Sequence, residues 1–352
     1  MNVFLLGALT PGDFLRRHWQ KRPLFVRNAL PQFSGVLNDR ELLALAARDD
    51  VESRIVERRG SRWDTQHGPF NKIRVKPKDW SILVSGVNLH LRAADALLRR
   101  FSFAPQARLD DVMVSYATPG GGVGPHVDSY DVFLLQGPGR RRWKVWDLKG
   151  SASTHVAERG DLLYLPPGWR HDGVALERCF TYSIGFRAPR GAELGAAFLD
   201  WLHERGLPDA VYRDPGLLPA RSPARIPQEL LRFAARSFSR ISWSSKDVMT
   251  FLGEYLTLPK AHVVFSPGRA TRRIRGSLVR LDPKTQLLYS GRRFFINGDA
   301  VVLPGRAASA LRELGDRRSA QGSLLAGAGL ADLISGWQRL GYLHFEKRSE
   351  RS

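Results

Sequence analysis

Cysteine is almost missing from this chain: Cys179 is the single one among 352 residues. An intrachain disulfide is therefore impossible, and so is a cysteine-rich zinc site. A reducing compartment fits that usage. Long apolar runs are missing too. No stretch approaches the roughly 18 or more apolar residues of a membrane helix. The apolar stretch from Val3 to Leu9 is short for a signal sequence and has no basic flank before it. These absences leave the cytoplasm as the expected address, with no membrane partner. Acidic residues are in short supply: 34 Asp+Glu stand against 54 Lys+Arg, a formal net charge of +20. Such a surface attracts polyanions, RNA foremost. The basic residues are spread along the chain, however, and arginine-rich coding would produce the same balance. Charge alone assigns no function.

What is present is ordinary globular material, 43% apolar and 25% charged. A length of 352 residues implies two or three domains. Thr10-Pro11-Gly12-Asp13 opens a helix, with Thr10 as its cap and Pro11 at the first position. Lys21 to Val26 and Ile55 to Arg59 read as strands, and Glu41 to Arg48 as a short Leu/Ala helix. From Val112 to Phe186 short strand-like runs alternate with Gly/Pro turns, the pattern of a sandwich or barrel. Beyond Ala188 the chain turns helical, with helices over Leu194 to Arg205 and, with an interruption, Gln228 to Leu256. The tail from Lys260 mixes strands (286–289, 293–296, 300–303) with helices near 307–314 and 330–340, and its order resembles a winged-helix module.

The chemistry sits in Gly120-Gly121-Gly122-Val123-Gly124-Pro125-His126-Val127-Asp128. Side chains two apart on a strand share a face, so His126 and Asp128 can reach one ion. An imidazole and a carboxylate are two of the three ligands of the facial triad of non-haem iron(II) oxygenases. The third is His171, which follows the tight turn Pro166-Pro167-Gly168 at the start of a strand. The segment Gly160 to His171 resembles the second metal motif of cupins, and the first segment resembles the first cupin motif with His-x-Asp in place of His-x-His. That replacement points to the oxygenase branch. His155 and Asp131 are the nearest competitors as ligands, although Asp131, three residues past Asp128, should face the other way. A 2-oxoglutarate cosubstrate needs a cation for its distal carboxylate. In Arg140-Arg141-Arg142-Trp143-Lys144-Val145-Trp146, alternation sends Arg141, Trp143 and Val145 inward and Arg142 and Lys144 outward. Arg141 is the candidate anchor, while an outward basic stripe suits Arg140 and Arg142.

Pro119 to Phe133, with Gln136-Gly137, Arg140 to Trp143, Trp19 to Leu24 and Tyr182 to Pro189, closely resembles the bacterial ribosomal oxygenases of the JmjC/cupin type. Within that group it is most similar to the arginine hydroxylases of large-subunit ribosomal protein sixteen. The resemblance covers residues 1–190. It implies a double-stranded β-helix (jelly-roll) domain over 1–190, a helical dimerisation region over 191–258 and a winged-helix-like domain over 259–352. It implies iron(II) on His126, Asp128 and His171, 2-oxoglutarate held by Arg141 with Ser115 and, less directly, Ser183, and dioxygen as oxidant. It implies decarboxylation of 2-oxoglutarate coupled to hydroxylation of an arginine methylene, a ribosomal-protein substrate, a possible rRNA contact and a homodimer. Tyr130 shares the face of Asp128 and could touch substrate, or simply pack. A basic enzyme should repel a basic ribosomal protein, so local acids are needed, and Asp110, Asp111 and Asp131 are the candidates. Two other readings remain open: a related oxygenase acting on a ribosomal histidine or on nucleic acid, and a non-enzymatic cupin-like module that binds nucleic acid.

Overall fold

The computed structural model describes residues 5–147, 149–268 and 274–347. Val3 and Phe4 of the N-terminal apolar stretch lie outside them. The chain forms two compact units, one of residues 1–188, 259–286 and 305–352, the other of residues 189–258 and 287–304. Among the described residues no helix is long and apolar enough to cross a membrane.

The first unit opens with the helix Pro11–Arg17, capped as the sequence predicts by Thr10, whose hydroxyl accepts from the Asp13 amide. Four strands precede the β-rich span: β1 (Leu24–Val26), β2 (Ser53–Arg59), β3 (Arg62–His67) and β4 (Trp80–Val84). The span itself holds β5 (Leu109–Ala117), β6 (His126–Val127), β7 (Val132–Gln136) and β8 (Arg141–Trp146). It closes with β9 (Ala152–Ala157), β10 (Leu162–Leu165), β11 (Arg170–Ala175) and β12 (Cys179–Phe186). An eight-stranded sheet runs β1-β10-β7-β12-β5-β4-β2-β3, and a four-stranded sheet runs β6-β11-β8-β9. The two sheets form the jelly roll.

Period-two alternation decides what each face of the large sheet meets. Val112 and Val114 of β5, Phe133 and Leu135 of β7, and Tyr182 and Ile184 of β12 belong to one buried cluster. The same cluster takes in Phe14, Leu42 and Leu98 from the helices Pro11–Arg17, Asp39–Ala46 and Arg92–Arg99. Leu134, Leu163 and Leu165, from the opposite face, pack instead with Trp143, Val145 and Ala157 of the small sheet. Ser115 and Ser183 carry this second parity on β5 and β12, so they point between the sheets.

The later part of this unit has a three-stranded sheet, Ser319–Gln321, Ser277–Leu281 and Leu343–Lys347, with the helices Gly305–Arg317, Gly322–Gly327 and Ala331–Arg339. Val279, Leu311, Leu314, Ile334 and Leu343 are among its buried residues. This is a winged-helix arrangement. In the second unit the helices Gly191–Glu204, Gln228–Ser239 and Ser245–Thr257 accompany a sheet of three short strands, Leu287–Ser290, Arg293–Ile296 and Asp299–Val302. Phe251 stacks edge-on with Phe198 and Trp201, and Gly253 leaves room for the Phe295 ring. The interruption expected between 228 and 256 falls at residues 240–244.

Candidate metal centre

The two metal motifs meet because β6 pairs antiparallel with β11, and the pairing sets His126 directly opposite His171. Side chains opposite each other in a ladder lie on the same face. Their rings are 4.2 Å apart between centroids. Asp128 follows one residue past β6, and its carbonyl accepts a hydrogen bond from the Gly168 amide at 2.9 Å, tying the Pro-Pro-Gly turn to the His-x-Asp segment. The glycine loop before β6 has to be free of side chains. A Cβ on Gly121 would meet the Trp80 carbonyl oxygen at 2.2 Å, and Gly124 sits at φ +82 against the Trp63 ring.

The donor atoms fit an ion. His126 Nε2 lies 3.8 Å from Asp128 Oδ1, and His171 Nε2 lies 3.7 Å from Asp128 Oδ2. Two bonds of about 2.1 Å to one first-row ion span up to about 4.2 Å, so a single ion can touch both atoms of each pair. All three donor atoms fall within 4.8 Å of one another. The tautomers are also set. His126 Nδ1 is 2.9 Å from the Gly124 carbonyl and His171 Nδ1 is 3.0 Å from that of Trp169. A carbonyl can only accept, so each Nδ1 carries the proton and each Nε2 keeps its lone pair for a metal. Burial lowers the His171 pKa, and the neighbouring His126 adds to the effect. The lowered value favours the neutral imidazole that ligation requires.

Arg141 is turned inward, as the alternation predicts, and is 5% exposed. Its Nε and Nη2 are buried without a hydrogen-bond partner, and its guanidinium lies 5.7 Å from the Trp143 ring centroid. Trp143 in turn stands 6.0 Å from the ring of His171. A buried guanidinium with unmet donors beside a metal-ligand set is the complement of a carboxylate bound there. Ser115 and Ser183 are both buried and line the same cavity of about 640 Å³, with His126, Asp128, Tyr130, Arg141 and His171. Tyr130 keeps its proton, since loss of water around its hydroxyl and the nearby Asp128 push its pKa up to about 12.

The competing ligands go elsewhere. His155 stacks on Phe25 at 4.7 Å. Asp131 is fully buried, accepting from Tyr164 Oη at 2.6 Å and Gln20 Nε2 at 3.0 Å and pairing with Arg108. It is thus a structural anchor and does not serve the cavity as a local acid. Asp110 and Asp111 do line the cavity, and Glu52 joins them. Asp111 accepts from the Gly86 amide at 2.8 Å, which places this acidic group where the chain leaving β4 meets the start of β5. Sequence reading missed Glu52, Arg54, Thr181 and Lys260, which also line the cavity. Spacing could have found Thr181, which lies two residues before Ser183 on one strand; the structure pairs it with Ser115.

A jelly roll with a His-Asp-His set between its sheets is the architecture of a 2-oxoglutarate-type oxygenase, and residues 96–194 match the JmjC domain family. Residues 240–344 match the ROXA-like winged helix. The chain is 37% identical over 275 residues to the Escherichia coli (strain K12) ribosomal protein uL16 3-hydroxylase, covering 72% of this chain and 73% of that one. The solved structure of the E. coli ribosomal oxygenase YcfD in complex with cobalt and 2-oxoglutarate superimposes with a TM-score of 0.81 at 31% identity, covering 96% of this chain and 98% of that one. Human ribosomal oxygenase 1 is 25% identical over 211 residues, 49% of this chain and 32% of its own. The chain belongs to the ribosomal oxygenase family.

Proposed function

We propose that this chain uses iron(II), 2-oxoglutarate and dioxygen to hydroxylate an arginine side chain of ribosomal protein uL16. His126, Asp128 and His171 hold the iron, and Arg141 holds the distal carboxylate of 2-oxoglutarate, with Ser115 and Ser183 beside it. When bound, the ion and cosubstrate supply the oxidising power for breaking an unactivated C–H bond. The protein's own residues do the rest. The Gly124 and Trp169 carbonyls fix both imidazoles, Arg141 neutralises and orients the cosubstrate, and Trp143 with Leu134 walls that end off from water. Tyr130, a proton donor at neutral pH, stands near Asp128 to steer the incoming side chain.

One observation carries the choice of target: a single cavity holds both the ligand set with Arg141 and the carboxylates of Glu52, Asp110 and Asp111. A guanidinium is attracted to those three carboxylates, whereas nucleic-acid phosphates are repelled by them. The E. coli relative's name as a uL16 3-hydroxylase supports the same target. The test is incubation with iron(II), 2-oxoglutarate and a uL16-derived arginine peptide, read by mass spectrometry for one added oxygen. A histidine peptide and RNA are run alongside. Oxidation of either of these in preference to the arginine peptide sinks the reading.

The same reading divides the chain into an oxygenase module (1–190), a dimerisation region (191–258) and a winged-helix module (259–352), working in the cytoplasm as a homodimer. The helices Gly191–Glu204 and Gln228–Ser239 contain no buried residue, and Leu199 and Phe238 are 63% and 70% exposed. A second copy of the chain would cover them. An rRNA contact is supported by the outward face of the small sheet. There Lys144 and Arg170 flank the Trp146 ring at 4.9 and 4.7 Å, with Arg142 exposed two residues away.

A further inference from the structure

Arg141 aside, two cations line the cavity, Arg54 and Lys260. Arg54 sits on β2, inside the jelly roll, and its Nη2 has a 4.0 Å contact with Met113 Sδ. Lys260 comes from far downstream, after all the jelly-roll strands. Its Nζ lies 3.3 Å from Asp110 Oδ1, and the lysine side chain is 44% exposed. Asp110 is also 3.4 Å from Arg187 Nε. Its neighbour Asp111 is pushed up to about 6 by burial and by the adjacent Asp110, while Lys260 pulls it back toward the ionised form. The acidic group thus already holds two cations, both on Asp110, of which Lys260 is the one that lines the cavity.

Asp110 Oδ1 serves both Arg187 and Lys260, so a substrate guanidinium approaching it has to take the place of one of them. Lys260, with a side chain 44% exposed against 22% for Arg187, is the freer to yield. A half-exposed lysine is suited to being moved. It is a point charge on a flexible stem, and water takes over its hydration as it leaves. An exposed ion pair contributes little to stability and is easily given up. A bidentate guanidinium gains more from paired carboxylates than an ammonium does. We propose that Lys260 is a specificity-determining residue: an internal counter-cation that occupies the acidic end of the cavity until a substrate guanidinium displaces it. It raises the affinity threshold for every ligand that seeks those carboxylates, and it keeps the two adjacent acids compatible while the cavity is empty.

The inference rests on the arginine reading above. Its test measures binding of two uL16-derived peptides at about pH 8, where Asp111 is ionised: one with the target arginine, and one with citrulline, its uncharged isostere. Wild type, Lys260→Met and Lys260→Arg are compared by calorimetry, and by KM and kcat with the arginine peptide. Lys260→Met is expected to bind the arginine peptide roughly 2- to 5-fold more tightly, the scale of a half-exposed ion pair. The gain should appear in KM, with citrulline binding unchanged and Lys260→Arg close to wild type. Equal or weaker arginine binding by Lys260→Met, with wild type binding normally, overturns this inference alone. An equal gain for the citrulline peptide also overturns it, because the effect would then be steric. Failure of the wild type to prefer arginine over citrulline removes the arginine reading as well.

Discussion

At the scale of single residues the site is held by backbone carbonyls and by one unmatched charge. The carbonyls of Gly124 and Trp169 decide which nitrogen of each histidine faces Asp128, so the ligand set is oriented before any ion arrives. Arg141 is the opposite case: two of its donors are buried and unmet. An uncompensated buried charge destabilises the ligand-free protein, and its removal relieves that cost. Arg141→Met should therefore raise the unfolding free energy of the ligand-free protein by about 1–3 kcal/mol. It should also weaken 2-oxoglutarate about 100-fold or more. Urea titration and calorimetry read the two effects, and a variant that loses both stability and affinity would contradict the assignment. Asp111 gives a pH dependence. Its folded-state value, about 6, is above the ordinary 3.8, so the folded state binds its proton more tightly. Its contribution to stability is full below pH 3.8 and is lost as pH rises through about 6. Attraction for a cationic side chain runs the other way, so KM for the arginine peptide should fall between about pH 5 and about pH 7. Asp111→Asn should flatten that slope. The convergence of His126, Asp128 and His171 and the inward turn of Arg141 were legible in the sequence because turn chemistry and strand alternation fix where such side chains point. Lys260 carried no such signal, since what places it is tertiary.

At the scale of elements, β6 shows how little chain a metal site needs. It is two residues long and pairs with β11 at two positions, His171 with His126 and Arg170 with Val127. The loop before it is pressed against β4, where Gly121 has the Trp80 carbonyl in the place of a Cβ. Gly121→Ala should displace the loop at a cost of about 1–3 kcal/mol, typical of an overpacked interior. Metal affinity should fall with it, because His126 moves when the loop moves. Thermal unfolding and an ion titration test this, and an alanine variant with unchanged affinity would show the loop to be slack. Most strands from β5 to β12 were readable, yet β9, β4 and the helix Arg92–Arg99 were not singled out. β4 is buried at all five positions, so it has no alternation to reveal it. The helix hides Ala94, Leu97 and Leu98 among arginines at both ends.

At the scale of the molecule, the net charge of +20 and the apolar helical surface are the two features that a lone domain in water would not need. If the exposed apolar helices pair with a second copy, Leu199→Asp together with Phe238→Asp should give a monomer by light scattering, with the jelly roll's circular dichroism unchanged. A dimer that survives both charges would place the interface elsewhere. The sequence conveys domain order along a line, but folding does not respect that line. The strands from Leu287 to Val302 pack with the helix Ser245–Thr257, thirty residues earlier at the nearest. Lys260 makes the same point for the chemistry. A truncated chain ending at residue 258 would keep each candidate iron ligand and the arginine for the cosubstrate. It would still be a different enzyme, with an unguarded acid patch open to any stray polyamine or basic peptide. If Lys260 guards the acid patch, the length of chain that supplies the ligand set is shorter than the length that chooses its substrate.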